Sequence, residues 1–161
     1  MELIKKLGLL ALGSRLKLLL DDLLQDISKI YKSNDIDFES RFFLVFYLLK
    51  DNNKIRITDI AREIGISQPA VSQVTEIMAK KGLVKFIKDK KDTRTKFVYL
   101  SGKGKKIIPV LEAIWEDIIY AHEELFNSIG VDIINVLEKT ENALKQKKMF
   151  ERVIYNVKHR T

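Results

Sequence analysis

At 161 residues the chain has room for one ordinary domain or a small domain with helical extensions, and a composition of 46% apolar and 32% charged residues with seven Gly and two Pro favours long helices over disorder. The absence of cysteine excludes disulfides, thiolate metal sites and thiol redox sensing. The net charge of +7 is local: Lys80 to Lys106 holds eleven basic residues against Asp89 and Asp92, leaving −2 for the rest of the chain. Such a stripe is the electrostatic footprint of a phosphate backbone, and its plainer alternative is a solvated lysine-rich hairpin.

Leu3 to Tyr31 is dense in leucine and its periodicity predicts one long helix. Around Leu16 to Leu24 the apolar arc is wider than one core face needs, which points to burial on a second side that a partner subunit can supply. The uncharged run Leu7 to Ser14 is short and Arg15 and Lys17 follow it, so no signal peptide is expected. No stretch approaches the roughly 20 apolar residues of a membrane span, and the expectation is a soluble, cytoplasmic protein.

Lys32 to Asp37 is turn-like, and Phe38 to Lys50 predicts a second, strongly apolar helix. Ile55 and Ile57 flank Arg56 in the alternation of a short strand able to pair with a later hairpin. Thr58 is placed as the N-cap of a helix over Asp59 to Ile64, with Gly65 as its left-handed terminator. Ser67 caps the next helix, Gln68 to Lys81, and Pro69 falls in its first turn, where a missing amide costs little. At about 100° per residue, Ala70, Val71, Val74, Ile77 and Met78 share one arc of this helix, and Gln68, Ser72, Gln73, Thr75, Glu76 and Lys80 occupy the rest. The apolar arc must pack inward, so the polar one is offered to a partner, and its side chains suit base edges and phosphates.

Gly82 closes that helix, and Leu83 to Ile87 and Thr95 to Leu100 are β-rich runs around the basic tip Lys88 to Arg94. Ser101 can cap a long helix from Gly102 to about Phe126, with Pro109 either kinking it or marking an early break; helical periodicity resumes from Val131 to about Lys158. The GKG at Gly102 to Gly104 lacks the spacing of a phosphate-binding loop. His122, Glu123 and Glu124 are adjacent on a helix and point apart, so no metal site is expected, and no cofactor or catalytic group. The plan is mainly α with a small β wing, a winged helix-turn-helix flanked by long helices.

The run ITDIAREIGISQPAVSQVTEIMAKKGLV, the wing DKKDTR and the following VYLSGKG resemble the MarR family of bacterial and archaeal transcription regulators, over about residues 55 to 106. The resemblance implies three segments: an N-terminal dimerisation helix (1–37), a DNA-binding lobe (38–101) and C-terminal dimerisation helices (102–161). It implies a cytoplasmic, nucleoid-associated homodimer on a palindromic operator in double-stranded DNA, acting as a repressor displaced by a small-molecule effector. The DNA-contacting set it implies is Ser67, Gln68, Pro69, Ser72, Gln73, Thr75, Glu76 and Lys80 on the helix, with Lys88, Lys90, Lys91, Asp92, Arg94 and Lys96 on the wing. Arg94 matches the wing arginine that enters the minor groove and Asp92 the acid that orients it. Gln73 and Ile77 stand where many relatives carry arginine, so Gln68 and Gln73 are left to address adenine, Ser72 and Thr75 phosphate or a thymine methyl, and Glu76 either cytosine or Lys80. Phe42, Phe43, Tyr47 and Trp115 are candidates for an effector pocket, against core packing as the commoner fate of such aromatics. The rival reading of the whole chain is a winged-helix module that contacts protein, with an incidental basic surface.

Overall fold

Capping and helix-breaking signals set several element boundaries in the computed structural model, which describes residues 2–88 and 95–158 and divides into two units, Met1–Trp115 and Glu116–Thr161. In the first unit the leucine-rich amino terminus forms α1 (Glu2–Leu7), a 3₁₀ turn at Gly8–Ala11 and α2 (Leu12–Ser33), which corrects the expectation of one long helix. Gly8 adopts φ +54, a left-handed backbone that interrupts a right-handed helix and that glycine reaches without steric cost. A second 3₁₀ turn at Ser40–Phe42 delays the next helix, α3, to Phe43–Lys50.

Around these helices lies an aromatic core. Phe38 meets Tyr31, Phe42 and Phe46 edge to face, with ring centroids 4.9, 5.6 and 5.2 Å apart. Each such contact adds about 0.5–1.5 kcal/mol beyond area burial. The Trp115 indole N–H donates to the Tyr31 hydroxyl at 3.1 Å. Burial pushes the Tyr31 phenol pKa up, and that hydrogen bond offsets part of the rise. At the other end of α3 the Lys50 ammonium donates to Glu112 at 2.9 Å.

The strand β1 (Ile55–Arg56) runs directly into α4 (Ile57–Ile64), and a turn leads to α5 (Gln68–Lys80). Thr58 is therefore not the cap: extended Arg56 holds the cap position without a side-chain bond, and Thr58 lies inside the first turn. The buried Ile57 begins the helix because it must face the core as the strand ends. Gly65 takes φ +75 with its amide on Ala61 O at 3.0 Å, so the left-handed terminator is present.

The hairpin β2 (Val84–Lys88) and β3 (Lys96–Leu100) completes an antiparallel sheet of order β1-β3-β2, in which Arg56 and Ile87 both lie opposite Phe97. Val84, Val98 and Leu100 are buried against the helices. Ser101 caps α6 (Gly102–Lys106), its hydroxyl accepting the Gly104 amide at 3.0 Å. Of the two roles open to Pro109, the early break is realised: the helix stops at Lys106 and α7 (Ile108–Ser128) restarts with Pro109 in its first turn.

The second unit comprises α7 from Glu116 onward, α8 (Ile133–Gln146) and α9 (Met149–Lys158). Asp132 caps α8 by accepting the Asn135 amide at 3.0 Å. The Arg152 guanidinium donates to the carbonyls of Ala143 at 2.8 Å and Lys147 at 3.0 Å, tying α9 to the end of α8. Helix α8 buries no residue, and Ile134, Leu137, Phe150 and Val153 stay exposed. No helix among the described residues is long and apolar enough to cross a membrane.

Candidate nucleic-acid interface

The orientation of α5 follows from its ends and its buried stripe. The Ser67 hydroxyl accepts the Ala70 amide at 3.4 Å, and Pro69 occupies the first turn. Val71 and Met78 are fully buried, which turns Gln68, Gln73, Glu76 and Lys80 outward with Pro69; Ser72 is half-buried.

Thr75 departs from the expected outward face. It is 0% exposed, and its hydroxyl donates to Val71 O at 2.9 Å and Ser72 O at 3.0 Å. It follows Val71 by four residues, about 40° around the helix, so a stripe centred on Val71 and Met78 takes it in. With its hydroxyl satisfied by its own helix, the burial costs little, and Thr75 has no free group for DNA.

On the wing, Lys88 and Lys96 are direct cross-strand partners. Like charges set opposite each other destabilise a sheet, and among the described residues neither lysine has an acidic partner. Lys85, Phe86 and Ile87 are also exposed along edge strand β2. Lys90, Lys91, Asp92 and Arg94 lie outside the described residues.

The basic stripe counted in sequence is also shorter in space. Lys81 turns away from it: its ammonium hydrogen-bonds Asp37 and lies 3.4 Å from Glu39, and the Asp37 bond leads the causes that raise its pKa. Lys103 donates to the Lys81 carbonyl at 2.9 Å and so serves the end of α5.

Between α5 and the wing is a hollow of about 240 Å³, bordered by Gln68, Ser72, Thr75 and Glu76 on the helix and by Arg56, Thr58, Phe86 and Lys96. Arg56 and Thr58 were not among the expected contact residues, because β1 reaches this place only by pairing with β3. The signal was nonetheless in the sequence, since a strand at Ile55 to Ile57 paired with the hairpin carries Arg56 to the wing.

The four aromatics divide. Phe43 and Tyr47 pack on Trp115 with centroids 5.1 and 5.6 Å away, whereas Phe42 is fully buried against Phe38 and does not join them. Tyr47 remains 46% exposed at the edge of this cluster.

Two helices joined by a tight left-handed turn, followed by a hairpin that pairs with the strand before them, define a winged helix-turn-helix protein. Residues 40–96 match the model of the MarR family. The chain is 28% identical over 116 residues to the HTH-type transcriptional regulator SarZ of Staphylococcus haemolyticus, a match covering 68% of this chain and 78% of that one. Among solved structures, its fold is similar to a mutant MarR from E. coli complexed with operator DNA: TM-score 0.67, 16% identity, 86% of this chain and 96% of that one. It is also similar to NadR in complex with 4-hydroxyphenylacetate: TM-score 0.54, 21% identity, 83% of this chain and 91% of that one. The chain is thus similar to the MarR family over residues 40–96, and its fold is that of the family's solved members.

Proposed function

We propose that this chain is a ligand-responsive transcription regulator that binds a palindromic operator as a homodimer and represses until an effector displaces it. The observation that carries the reading is the juxtaposition of an outward polar face on α5 (Gln68, Gln73, Glu76, Lys80) with Lys88 and Lys96, which face each other across the wing. Two like charges held opposite each other are relieved by a polyanion, and the helix beside them offers amide groups that match the donor and acceptor pair of adenine. Arg94 and Asp92 are read as the minor-groove element of the wing, with Lys90 and Lys91 beside them. Bound operator in the E. coli MarR complex and bound 4-hydroxyphenylacetate in NadR support the two halves of this reading.

Segments 1–37 and 102–161 are assigned to dimerisation, because they carry exposed apolar residues, Leu9, Leu10 and Phe150 among them, that a second copy would cover. A dimer sets the two α5 helices near one turn of DNA apart, roughly 34 Å, and an effector that changes this spacing releases the operator. The aromatic cluster of Phe43, Tyr47 and Trp115 is our candidate for the wall of the effector site. The protein acts in the cytoplasm, on nucleoid DNA, and without catalysis. Titration of a labelled random-sequence duplex at 50 and 200 mM salt tests this class: affinity is expected to fall by about tenfold or more. Salt-insensitive binding, or none, would turn the reading toward the protein-contacting module.

A further inference from the structure

The geometry points to a further phosphate-contacting station, built from Lys54 and Arg56 on the ring of Phe97, at the edge of the hollow between α5 and the wing. It deepens the DNA-binding reading above and rests on it. Arg56 lies directly across the sheet from Phe97, and its guanidinium carbon is 5.4 Å from the ring centroid. The Lys54 ammonium, two residues earlier, lies 4.8 Å from the same centroid. Two cations thus share one half-buried ring while both side chains remain exposed.

Other cations of this unit are used differently. Lys50 is joined to Glu112, Lys81 to Asp37 and Glu39, Arg62 to Asp59, and Arg41 to Glu39, each an ion pair that cancels its field. Among the described residues no carboxylate pairs with Lys54 or Arg56, and Glu76, the acid bordering the hollow, pairs with neither Arg56 nor Lys96. An aromatic face holds a cation in place without neutralising it, so this site restricts two long side chains yet keeps both charges available. Electrostatic repulsion between them is relieved by an anion that meets both.

Position selects that anion. Arg56 borders the same hollow as Gln68, Ser72 and Lys96, so a duplex lying on α5 and the wing carries a backbone past it. An arginine and a lysine there bind phosphate oxygens without reading bases, adding affinity and fixing register equally on all sequences.

The test is a salt titration of duplex binding by the full-length protein and by the double variant Lys54→Ala, Arg56→Ala. Each lost phosphate contact removes about 0.9 from the slope of log K against log salt, so the double variant is expected to lose about 1.8 per engaged lobe. Raising salt from 50 to 200 mM should then cost the unaltered protein about 12-fold more per lobe than the variant. Phe97→Leu, which keeps both charges and removes the ring, should weaken binding severalfold with the slope retained. An unchanged slope and affinity in the double variant, with the unaltered protein binding DNA, overturns this station and leaves the DNA-binding reading standing. An acidic protein surface as the true partner would give that same result. Failure of the unaltered protein to bind duplex at low salt overturns both.

Discussion

The winged lobe and the terminal helices use apolar residues in opposite ways. Phe42, Val45, Phe46 and Leu49 lie in or beside the eight-residue α3 and are at most 1% exposed, whereas α2, with 22 residues, buries only Tyr31 and α8 buries none. The lobe is thus closed by its own chain, and the terminal helices present leucine and isoleucine faces that a second copy would cover. On the proposed function, stability of the lobe and assembly of a dimer are separable, and DNA binding would draw on both.

Substitutions can break this division. Phe46→Ala should have the largest effect on stability, about 3–5 kcal/mol in denaturant unfolding, because it empties the centre of the aromatic core. A loss below about 1 kcal/mol would mean that the lobe draws its stability from elsewhere. Leu16→Glu with Leu19→Glu, two residues exposed on α2, should leave the lobe folded by circular dichroism and yield monomers in sedimentation. Operator affinity should drop by roughly a hundredfold as the two lobes lose their linkage. A dimer that survives both charges would move the assembly surface off α2. The smallest effect is expected for Thr75→Val: the buried hydroxyl bonds only to its own helix, so stability should change by no more than about 1 kcal/mol and DNA affinity not at all. Weakened DNA binding without a stability change would restore Thr75 to the contact set.

What was legible in the sequence was mostly what is local. The caps at Ser67 and Ser101, the left-handed Gly65 and the amphipathic stripe of α5 depend on residues within four or five positions of each other, and each is present in the fold. The pairing of Ile55 with the hairpin was readable from alternation alone. The fold departs from the sequence pattern where distance or fine geometry decides. Thr75 lies at the margin of a helical arc, where polarity predicts exposure and packing imposes burial. Thr58 has the residue type of a cap, but the buried Ile57 draws the helix start two residues earlier than Asp59. Lys81 belongs to a run of lysines in sequence, while its acidic partners stand 44 and 42 positions away. Lys54 and Arg56 lie outside the basic run, and only the sheet brings them to the wing.

The central claim, that two copies of this lobe read DNA together, is tested most directly by selecting bound duplexes from a random pool with the full-length protein and sequencing them. An inverted repeat with half-sites about one helical turn apart, and adenine where Gln68 and Gln73 reach the major groove, is the expected result. Enrichment of a single unrepeated site, or of no sequence at all, would contradict the account.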